Sequence, residues 1–355
     1  MPKIVLIDPV QDPRWDQFVE THPFGWVCHL SGWKQVLEGT FHHMRGYYFA
    51  LMDDAGERIE AGLPVFHVRS RLFGDRLVSI PFATLSDALV ENASQFQQLG
   101  SAAQQLAATL NARWIEVRSL HSGPAIRGPS WGESNVFKLH YLELAEGSEK
   151  LLKSFKPKSV RHSIRRAAKH QLQLKGDGTR SALDLFFSLH MGTRKRLGLP
   201  LHPYRWFETL WRVFAPSGRL GILAAEKNKT TIGALLLFKF KDRISVDYSA
   251  YDEAFADMRP NHFLFWEAIQ MACREGFKTF DFGRTRSDHA GLMEYKSRWG
   301  TRTMDLPQFF YPKAHNDLIS PKRGGAKLQL LHAACRHSPK FARKAIGEFC
   351  YRHMG

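Results

Sequence analysis

Two stretches of the chain repeat the same order of apolar and polar patterns. In the first stretch, apolar runs predict strands at 46–52, 59–68, 76–80 and 114–117, with a helix at 94–110. The second stretch gives strands at 220–225, 231–241, 244–250 and 279–282, with a helix at 260–275. The shared order predicts an α/β (α+β) protein with two similar lobes. The alternative is that two unrelated α+β stretches match by coincidence.

A basic segment with helical order lies between the two stretches. Residues 150–175 contain nine Lys or Arg and no acid. One helical face of this segment is apolar and consists of Val160, Ile164, Ala167 and Ala168. The basic side chains cover the opposite face. The pattern predicts a helix that packs by one side and presents its cations to an anionic partner or simply to solvent.

Two further helices are predicted at 182–197 and 204–214, and the composition changes after residue 312. Residues 313–355 carry nine Lys or Arg against two acids. Apolar residues recur there at helical spacing: Phe341, Ala345, Ile346, Phe349 and Cys350. This stripe predicts a helix docked on the body, with an interfacial helix on anionic lipid as the alternative. The expected division is an N-terminal lobe (1–148), a C-terminal lobe with the basic helix (149–312) and a basic helical tail (313–355).

The charge balance of the whole chain indicates an anionic partner. Its 50 Lys and Arg against 34 Asp and Glu give a formal net charge of +16, which attracts phosphate, RNA or an anionic membrane surface. The four cysteines have no paired spacing, and we expect reduced thiols, no metal site and a cytoplasmic location. We expect no signal peptide, and the apolar runs fall short of the roughly 20 residues of a membrane span.

The densest group of candidate chemical residues lies at the last strand of the second stretch. This strand brings in Asp281 and breaks at Gly283. Arg284 is then expected at the carboxyl end of the strand, where α/β folds bind ligands.

Lys296 lies on a short predicted helical turn, between Tyr295 and Trp299. A lysine in such surroundings can contact a phosphate, or stabilise the oxyanion that forms when an amine attacks an activated acyl group. A good oxyanion donor contributes about 2.7–4 kcal/mol. In the alternative interpretation, the two rings pack in the core and Lys296 extends its ammonium to solvent.

Acyl transfer to an amine also needs a base and a place for the donor. The attacking amine must be neutral, and the candidate bases are Asp281, Asp247 and Glu294. The free N–H groups at the start of the helix 260–275, with Arg259 and Asn261, can hold an anion. The turn before this helix lacks the glycines typical of acetyl-CoA enzymes, which disfavours acetyl-CoA.

The ordered set of these motifs resembles the Fem (FemABX-type) transferases of the GNAT superfamily. No single motif is specific, and the matching segments are 15–19, 31–36, 159–167, 193–198 and 281–300. The likeness covers roughly residues 15–311. The tail also resembles that of Fem-related proteins of bacterial exopolysaccharide and PEP-CTERM (exosortase) loci.

The resemblance implies two tandem GNAT-like lobes, each a mixed sheet flanked by helices. It also implies transfer of an aminoacyl group from aminoacyl-tRNA to an amine of a peptidoglycan precursor. The aromatic–Lys pair of the family matches Tyr295 and Lys296, and its basic precursor-binding residues match Lys34 and Arg161 or Arg165. We assign catalysis to Lys296, Tyr295 and Asp281. The residues assigned to substrate binding are Trp33, Lys34, Arg161, Arg165, Asp247, Tyr248 and Arg284, and those assigned to the donor's anion are Arg259 and Asn261.

Three functions remain open from the sequence. The leading one is a cytoplasmic acyl- or aminoacyltransferase acting on a peptidoglycan or exopolysaccharide precursor, with contact to the inner membrane face as an option. The second is an acyl-CoA-dependent N-acyltransferase, and the third is a non-enzymatic module that binds RNA or anionic membrane. The long helical arm of some Fem enzymes has no counterpart here, which counts against tRNA. The donor is therefore either aminoacyl-tRNA or acyl-CoA, and neither a tightly bound cofactor nor DNA is expected.

Overall fold

The apolar patterns build two seven-stranded sheets in a computed structural model, which describes residues 3–176, 179–313 and 326–354. The chain divides into two units. The first unit contains residues 1–136, 305–325 and 348–355, and the second contains residues 137–304 and 326–347. Helices make up 43% and strands 27% of the structure, and each sheet is flanked by helices. The expected fold class is thereby confirmed.

The first unit is built mainly from the N-terminal part of the chain. Its strands are β1 (Lys3–Ile7), β2 (Met44–Met52), β3 (Ile59–Val68), β4 (Arg76–Val78), β5 (Ile115–Arg118), β6 (Gly132–Ser134) and β14 (Gln308–Tyr311). Its helices are α1 (Pro13–Thr21), α2 (Ser31–Thr40), α3 (Ala93–Thr109) and the short α4 (Gly123–Ile126). The apolar faces of β2, β3, β5 and α3 form its core.

The second unit has strands β7 (Phe137–Glu143), β8 (Gln173–Gly176), β9 (Leu220–Lys227), β10 (Thr230–Phe240), β11 (Arg243–Tyr251), β12 (Thr279–Arg286) and β13 (Arg302–Asp305). Its helices are α5 (Gly147–Ser154), α6 (His162–Lys169), α7 (Arg180–Leu197), α8 (Tyr204–Phe214), α9 (Pro260–Arg274), α10 (Ala290–Ser297) and α11 (Ala326–His337). A last helix, α12, spans Lys340–Tyr351.

The two sheets share one strand order. The first sheet reads β1-β2-β3-β4-β5-β14-β6, and the second, from its other edge, reads β8-β9-β10-β11-β12-β7-β13. The parallel pair lies at the same place in each sheet, between β4 and β5 and between β11 and β12. This equivalence confirms the two similar lobes expected from the sequence.

The sixth position in each sheet is filled by a strand from an unexpected part of the chain. Strand β14 pairs with both β5 and β6, and its Phe309 is 1% exposed in the core of the first unit. Strand β7 pairs with β12 in the second sheet. The expected lobe boundaries at 148 and 312 therefore differ from the structure, because backbone hydrogen bonds place residues 137–148 in the second unit and β14 in the first.

The basic tail is helical where the structure describes it, and residues 314–325 of the predicted tail lie outside the described residues. The predicted apolar stripe is not the buried face of α12, since Phe341 is 76% and Phe349 58% exposed. Gly347 and Tyr351 are buried instead. A Cβ on Gly347 would lie 2.1 Å from the Leu201 carbonyl oxygen, so this close approach needs glycine. Helix α12 is therefore packed as expected of a docked helix, but through Gly347 and Tyr351, while the stripe members Phe341 and Phe349 lie outside the contact face.

The predicted basic helix is confirmed, but the residues on its buried face differ from those expected. A π-turn, Pro157–Arg161, precedes α6, and Val160 and Ala167 are 1% exposed. Ala168, which was expected on the same buried face, is exposed, whereas Ser163 is buried. The wide π-turn shifts the buried face relative to a regular helix.

Two adjacent histidines, one buried and one half-buried, make the second unit sensitive to acid. Nε2 of His190 and Nδ1 of His202 are 3.0 Å apart, among the rings of Phe186, Phe207 and Tyr248. Burial lowers the pKa of His190 to about 3 and that of His202 well below its usual range. Both are therefore neutral in the folded unit at pH values where both would be protonated in the unfolded chain.

We expect this pair to reduce the free energy of unfolding as the pH falls below the unfolded pKa of about 6.5. Two protons taken up only on unfolding give a slope of about 2.7 kcal/mol per pH unit. The double variant His190→Leu/His202→Leu, which removes both hydrogen-bonding partners, should have a slope smaller by that amount. Urea unfolding between pH 7 and pH 5 measures the slopes, and equal slopes for the two proteins would contradict the assignment.

Candidate active site

The candidate site begins where two neighbouring strands are interrupted by bulges. In β11, Asp247 is the extra residue between Val246 and Tyr248, which pair with consecutive residues of β10. In β12, the register against β7 shifts between Asp281 and Arg284, and Gly283 has a φ of +73°. Such a φ favours glycine. Within the described chain, the parallel pairing of β11 with β12 ends at Ser245 and Asp281, so both bulges lie just beyond the paired segment.

The side chain of Lys296 bonds to the backbone of the β12 bulge. It extends from α10, and its Nζ donates hydrogen bonds to the carbonyl oxygens of Gly283 at 2.7 Å and Arg284 at 3.3 Å. Lys296 is only 6% exposed, so the interpretation as a side chain extending to solvent is wrong. An ammonium has three N–H donors, and these two bonds leave one for another acceptor.

Asp281 supports the same bulge from inside the sheet. It is fully buried, its Oδ1 accepts a hydrogen bond from the Gly283 N–H at 2.6 Å, and its Oδ2 lies 3.4 Å from Nη1 of Arg243. Burial raises the pKa of Asp281, opposed by the Arg243 charge. Burial also lowers the pKa of Lys296 to about 8, and the Asp281 charge opposes that shift.

Asp247 is the candidate base whose protonation can change near neutral pH. It is partly buried, and the Ser245 hydroxyl donates to its Oδ1 at 2.8 Å. Burial raises the pKa of Asp247 to about 6, with Ser245 and Arg284 acting in the opposite direction. By contrast, Glu294 is exposed and accepts a hydrogen bond from Arg298 at 2.6 Å, which lowers its pKa.

Tyr295 and Trp299 form an aromatic group with a histidine that the sequence did not single out. The His262 ring stacks on Trp299 with centroids 5.6 Å apart and meets Tyr295 edge-on at 5.9 Å. Burial raises the pKa of Tyr295 to about 12 and lowers that of His262 to about 4, with help from the Arg259 charge. His262 therefore connects the predicted aromatic–Lys segment to the start of α9.

The start of α9 has the features expected of an anion site. Arg259 takes a left-handed conformation, with φ of 57°, and caps a 15-residue helix that begins with Pro260. Oδ1 of Asn261 and Nε of Arg259 are buried without a hydrogen-bond partner among the described residues. Because the first N–H groups of a helix are unpaired and carry partial positive charge, this end favours an anion.

The basic helix lies beside this helix start. Ile164 of α6 packs against the core to which Leu264 and Phe265 of α9 belong. Nη2 of Arg166 is 3.2 Å from Oδ1 of Asp257, in the turn before α9. Arg165 is exposed, while Nε of Arg161 is buried with no hydrogen-bond partner among the described residues.

The other predicted binding residues have partners within their own units. Arg284 lies over the Phe137 ring, 4.9 Å from its centroid. The Tyr248 hydroxyl accepts a hydrogen bond from the Trp206 indole at 3.0 Å. In the first unit, Trp33 is 2% exposed, and Nζ of Lys34 lies 3.1 Å from Glu38 and 3.5 Å from Asp8.

Sequence reasoning missed several residues that shape the site. His140 is fully buried, with Nδ1 3.3 Å from the Thr301 hydroxyl. Burial and the Lys296 charge lower its pKa to about 4. Arg243 and His262 were missed as well. A lone His or Arg in a strand or helix carries no spacing signal, whereas Gly283 after a buried strand was visible as a break.

Part of the second unit is similar to a known domain family. Residues 156–297 match the acetyltransferase (GNAT) domain family. The lipid II:glycine glycyltransferase of Staphylococcus epidermidis (strain ATCC 12228 / FDA PCI 1200) is 36% identical over 110 residues, which cover 28% of this chain and 26% of that protein. The aligned parts span between 18% and 26% of the first curated relatives.

Solved structures give the fold over nearly the whole chain. The crystal structure of FemX superposes with a TM-score of 0.72 at 17% identity, covering 89% of this chain and 99% of that chain. A tandem GNAT protein from the clavulanic acid biosynthesis pathway has a TM-score of 0.52 at 11% identity, with 87% and 98% covered.

Residues 156–297 of the second unit are therefore similar to a GNAT acetyltransferase domain. Over nearly its whole length, the chain shares the fold of FemX and of the tandem GNAT protein. None of the described helices is both long and apolar enough to span a bilayer.

Proposed function

We propose that the protein transfers an activated acyl or aminoacyl group to an amine of a cell-envelope precursor, either peptidoglycan or exopolysaccharide. The observation that carries this proposal is that Asp247 and Lys296 lie at the bulges of the neighbouring strands β11 and β12, while His262, at the start of α9, contacts Tyr295 next to Lys296. These groups would supply a base, a hydrogen-bond donor and an anion site. The name of the staphylococcal relatives, lipid II:glycine glycyltransferase, supports a lipid-linked precursor as the acceptor.

In the proposed reaction, the acceptor amine attacks the carbonyl carbon of the donor. The carboxylate of Asp247 takes the proton that the amine loses. The remaining N–H of Lys296 donates to the oxyanion of the tetrahedral intermediate. When the intermediate collapses, the bond to the donor's ester oxygen or thioester sulfur breaks, and that atom leaves and takes up a proton. Asp281 is a positioning residue, because it is fully buried and bonds to the bulge itself.

We propose that the donor is aminoacyl-tRNA or acyl-CoA, since both molecules join an activated acyl group to phosphates. The exposed cations of α6 favour tRNA, which presents many phosphates. The start of α9 favours acyl-CoA as the second candidate, because a helix N-terminus suits a pyrophosphate. A transfer assay that offers aminoacyl-tRNA and several acyl-CoAs with a soluble precursor analogue decides between them. No transfer from either donor would overturn the proposal.

Arg259→Ala should raise the KM for the donor roughly tenfold and leave kcat nearly unchanged, because a donor phosphate is bound equally in the ground and transition states. Arg274→Ala is the matched control, since Arg274 lies in the last turn of the same helix. Steady-state kinetics with the active donor measures both values. An unchanged KM in Arg259→Ala, or an equal rise in the control, would show that the donor does not bind at this end of the helix.

A further inference from the structure

The first unit presents large apolar side chains to solvent on a loop that is firmly held at its base. The loop joins β3 to β4, and at its tip Leu72 is 60% and Phe73 58% exposed. Ser70, at its base, is buried and accepts a hydrogen bond from the Phe73 N–H at 3.1 Å. Oδ1 of Asp75 accepts another from the Ser70 N–H at 3.2 Å. The two apolar side chains are thus exposed on an ordered turn.

The C-terminal turn of the chain lies beside this loop. The Ser70 hydroxyl is 3.1 Å from Nδ1 of His353, and Nη2 of Arg76 donates to the His353 carbonyl oxygen at 3.1 Å. Tyr351 anchors the turn by packing on the rings of Phe41 and Phe82. Phe349, by contrast, is 58% exposed. We call residues 69–75 and 348–354 together the apolar–basic face.

Cations surround the apolar side chains of this face. A cavity of about 1210 Å³ separates the loop from the C-terminal turn, and Arg69, Arg71 and Arg352 line it together with Asp75 and Glu348. The carboxylate of Asp75 is already held by Nε2 of His67 at 3.1 Å. The cavity therefore has an excess of positive charge that suits a phosphate.

Two residues that line this cavity, Thr40 and His43, each have a buried polar atom without a hydrogen-bond partner in the described part of the chain. Nε2 of His43 is buried and makes no hydrogen bond to the described residues. Burial lowers the pKa of His43 to about 4, and the charges of Arg76, His353 and Arg352 act in the same direction. A neutral His43 thus lines the cavity and adds no charge to that of its arginines.

We propose that the apolar–basic face docks the protein on an anionic membrane, with Leu72, Phe73 and Phe349 in the interface and Arg69, Arg71 and Arg352 on lipid phosphates. Exposed apolar side chains next to arginines match the layered chemistry of a bilayer surface, where a charged headgroup layer covers hydrocarbon. A nucleic acid would use the arginines but would leave the Leu72 side chain, which cannot stack on bases, in water. This surface belongs to the first unit and the transfer site to the second, and the inference goes beyond the proposed function.

Co-sedimentation of the full chain with lipid vesicles tests the inference. The protein should bind vesicles of phosphatidylcholine mixed equally with phosphatidylglycerol, and much more weakly those of phosphatidylcholine alone. Leu72→Ser/Phe73→Ser should weaken binding by tenfold or more, roughly the effect of losing two partly buried apolar side chains. Leu6→Ser is the matched control, because Leu6 lies in the same unit and is 54% exposed.

A second double variant and its control measure how much the arginine charges contribute to vesicle binding, separately from the apolar contacts. Arg71→Ala/Arg352→Ala should weaken binding roughly tenfold and reduce its dependence on salt, because each arginine near the surface contributes through lipid charge. Arg58→Ala, at an exposed arginine of the same unit, should bind normally. The Leu72→Ser/Phe73→Ser variant should retain wild-type transfer to a soluble acceptor, so a failure of docking is distinguishable from a failure of the proposed function.

Three results would overturn docking. One is equal binding of neutral and anionic vesicles, and another is wild-type binding by both double variants. The third is heat stabilisation by inorganic phosphate or glycerol phosphate with no binding to vesicles, which would make the cavity a site for soluble phosphates.

Discussion

Lys296→Met should lower the rate of acyl transfer by about 10²–10³-fold, the usual effect of removing one donor to an oxyanion. The variant loses the N–H that we assign to the tetrahedral intermediate. It also loses the bonds to the Gly283 and Arg284 carbonyl oxygens, so we also expect a stability loss of about 1–3 kcal/mol. Single-turnover transfer, measured well below the unfolding temperature of the variant, separates the two effects.

Lys278→Met is the matched control for this prediction. Lys278 belongs to the same unit, its side chain is 78% exposed, and its partner is Asp242. The control should transfer at the wild-type rate. If folded Lys296→Met were as fast as the control, Lys296 would only support the bulge of β12. If the variant does not fold, the pH dependence of the wild-type protein tests the same assignment.

Asp247→Asn should lower the transfer rate by about 10²–10⁴-fold, the range for loss of a general base. In the wild-type protein, the rate should rise as the pH increases through about 6, where Asp247 loses its proton. The rate should fall above about pH 8, where the Lys296 ammonium loses its proton. The variant should keep the alkaline fall and lose the acid limb, because Asn does not titrate. The profile of single-turnover rate against pH measures both limbs.

Asp242→Asn serves as the control, since the Asp242 side chain is 55% exposed on the same unit. This control should reproduce both limbs. An acid limb that persists in Asp247→Asn would assign the base to another group. Unchanged unfolding temperatures in the two variants would show that the rate reports chemistry and not folding.

The elements with strong periodic patterns were predicted from sequence almost to the residue. The strand 59–68 matches β3, and the helices 182–197 and 204–214 match α7 and α8 within two residues. The two helices bury one face, which repeats in the sequence, and β3 is an apolar run that is buried from residue 61 to residue 68. Strands β6, β7 and β14 were missed, because they are short and obtain their hydrogen bonds from partners far along the chain.

The site was predicted in part for a similar reason. The sequence indicated Gly283, Lys296 and Arg259, because a strand break, a lysine between aromatic residues and a helix start are all local signals. It gave no indication that Lys296 would bond to backbone carbonyl oxygens. It also did not show that the His262 ring would stack on Trp299. Both contacts depend on tertiary packing, which neighbouring sequence does not encode.

Each half of the sequence contributes a strand to the sheet that the other half mainly forms. This exchange limits where the chain can be truncated. A stop codon after residue 148 would remove β14, which holds β6 to β5, and would leave two unpaired sheet edges that favour aggregation. The same fragment would also carry β7 without β12, its partner. Neither half of the sequence is therefore expected to fold on its own. Truncated or fused versions of the protein need to keep residues 3–313 on one polypeptide.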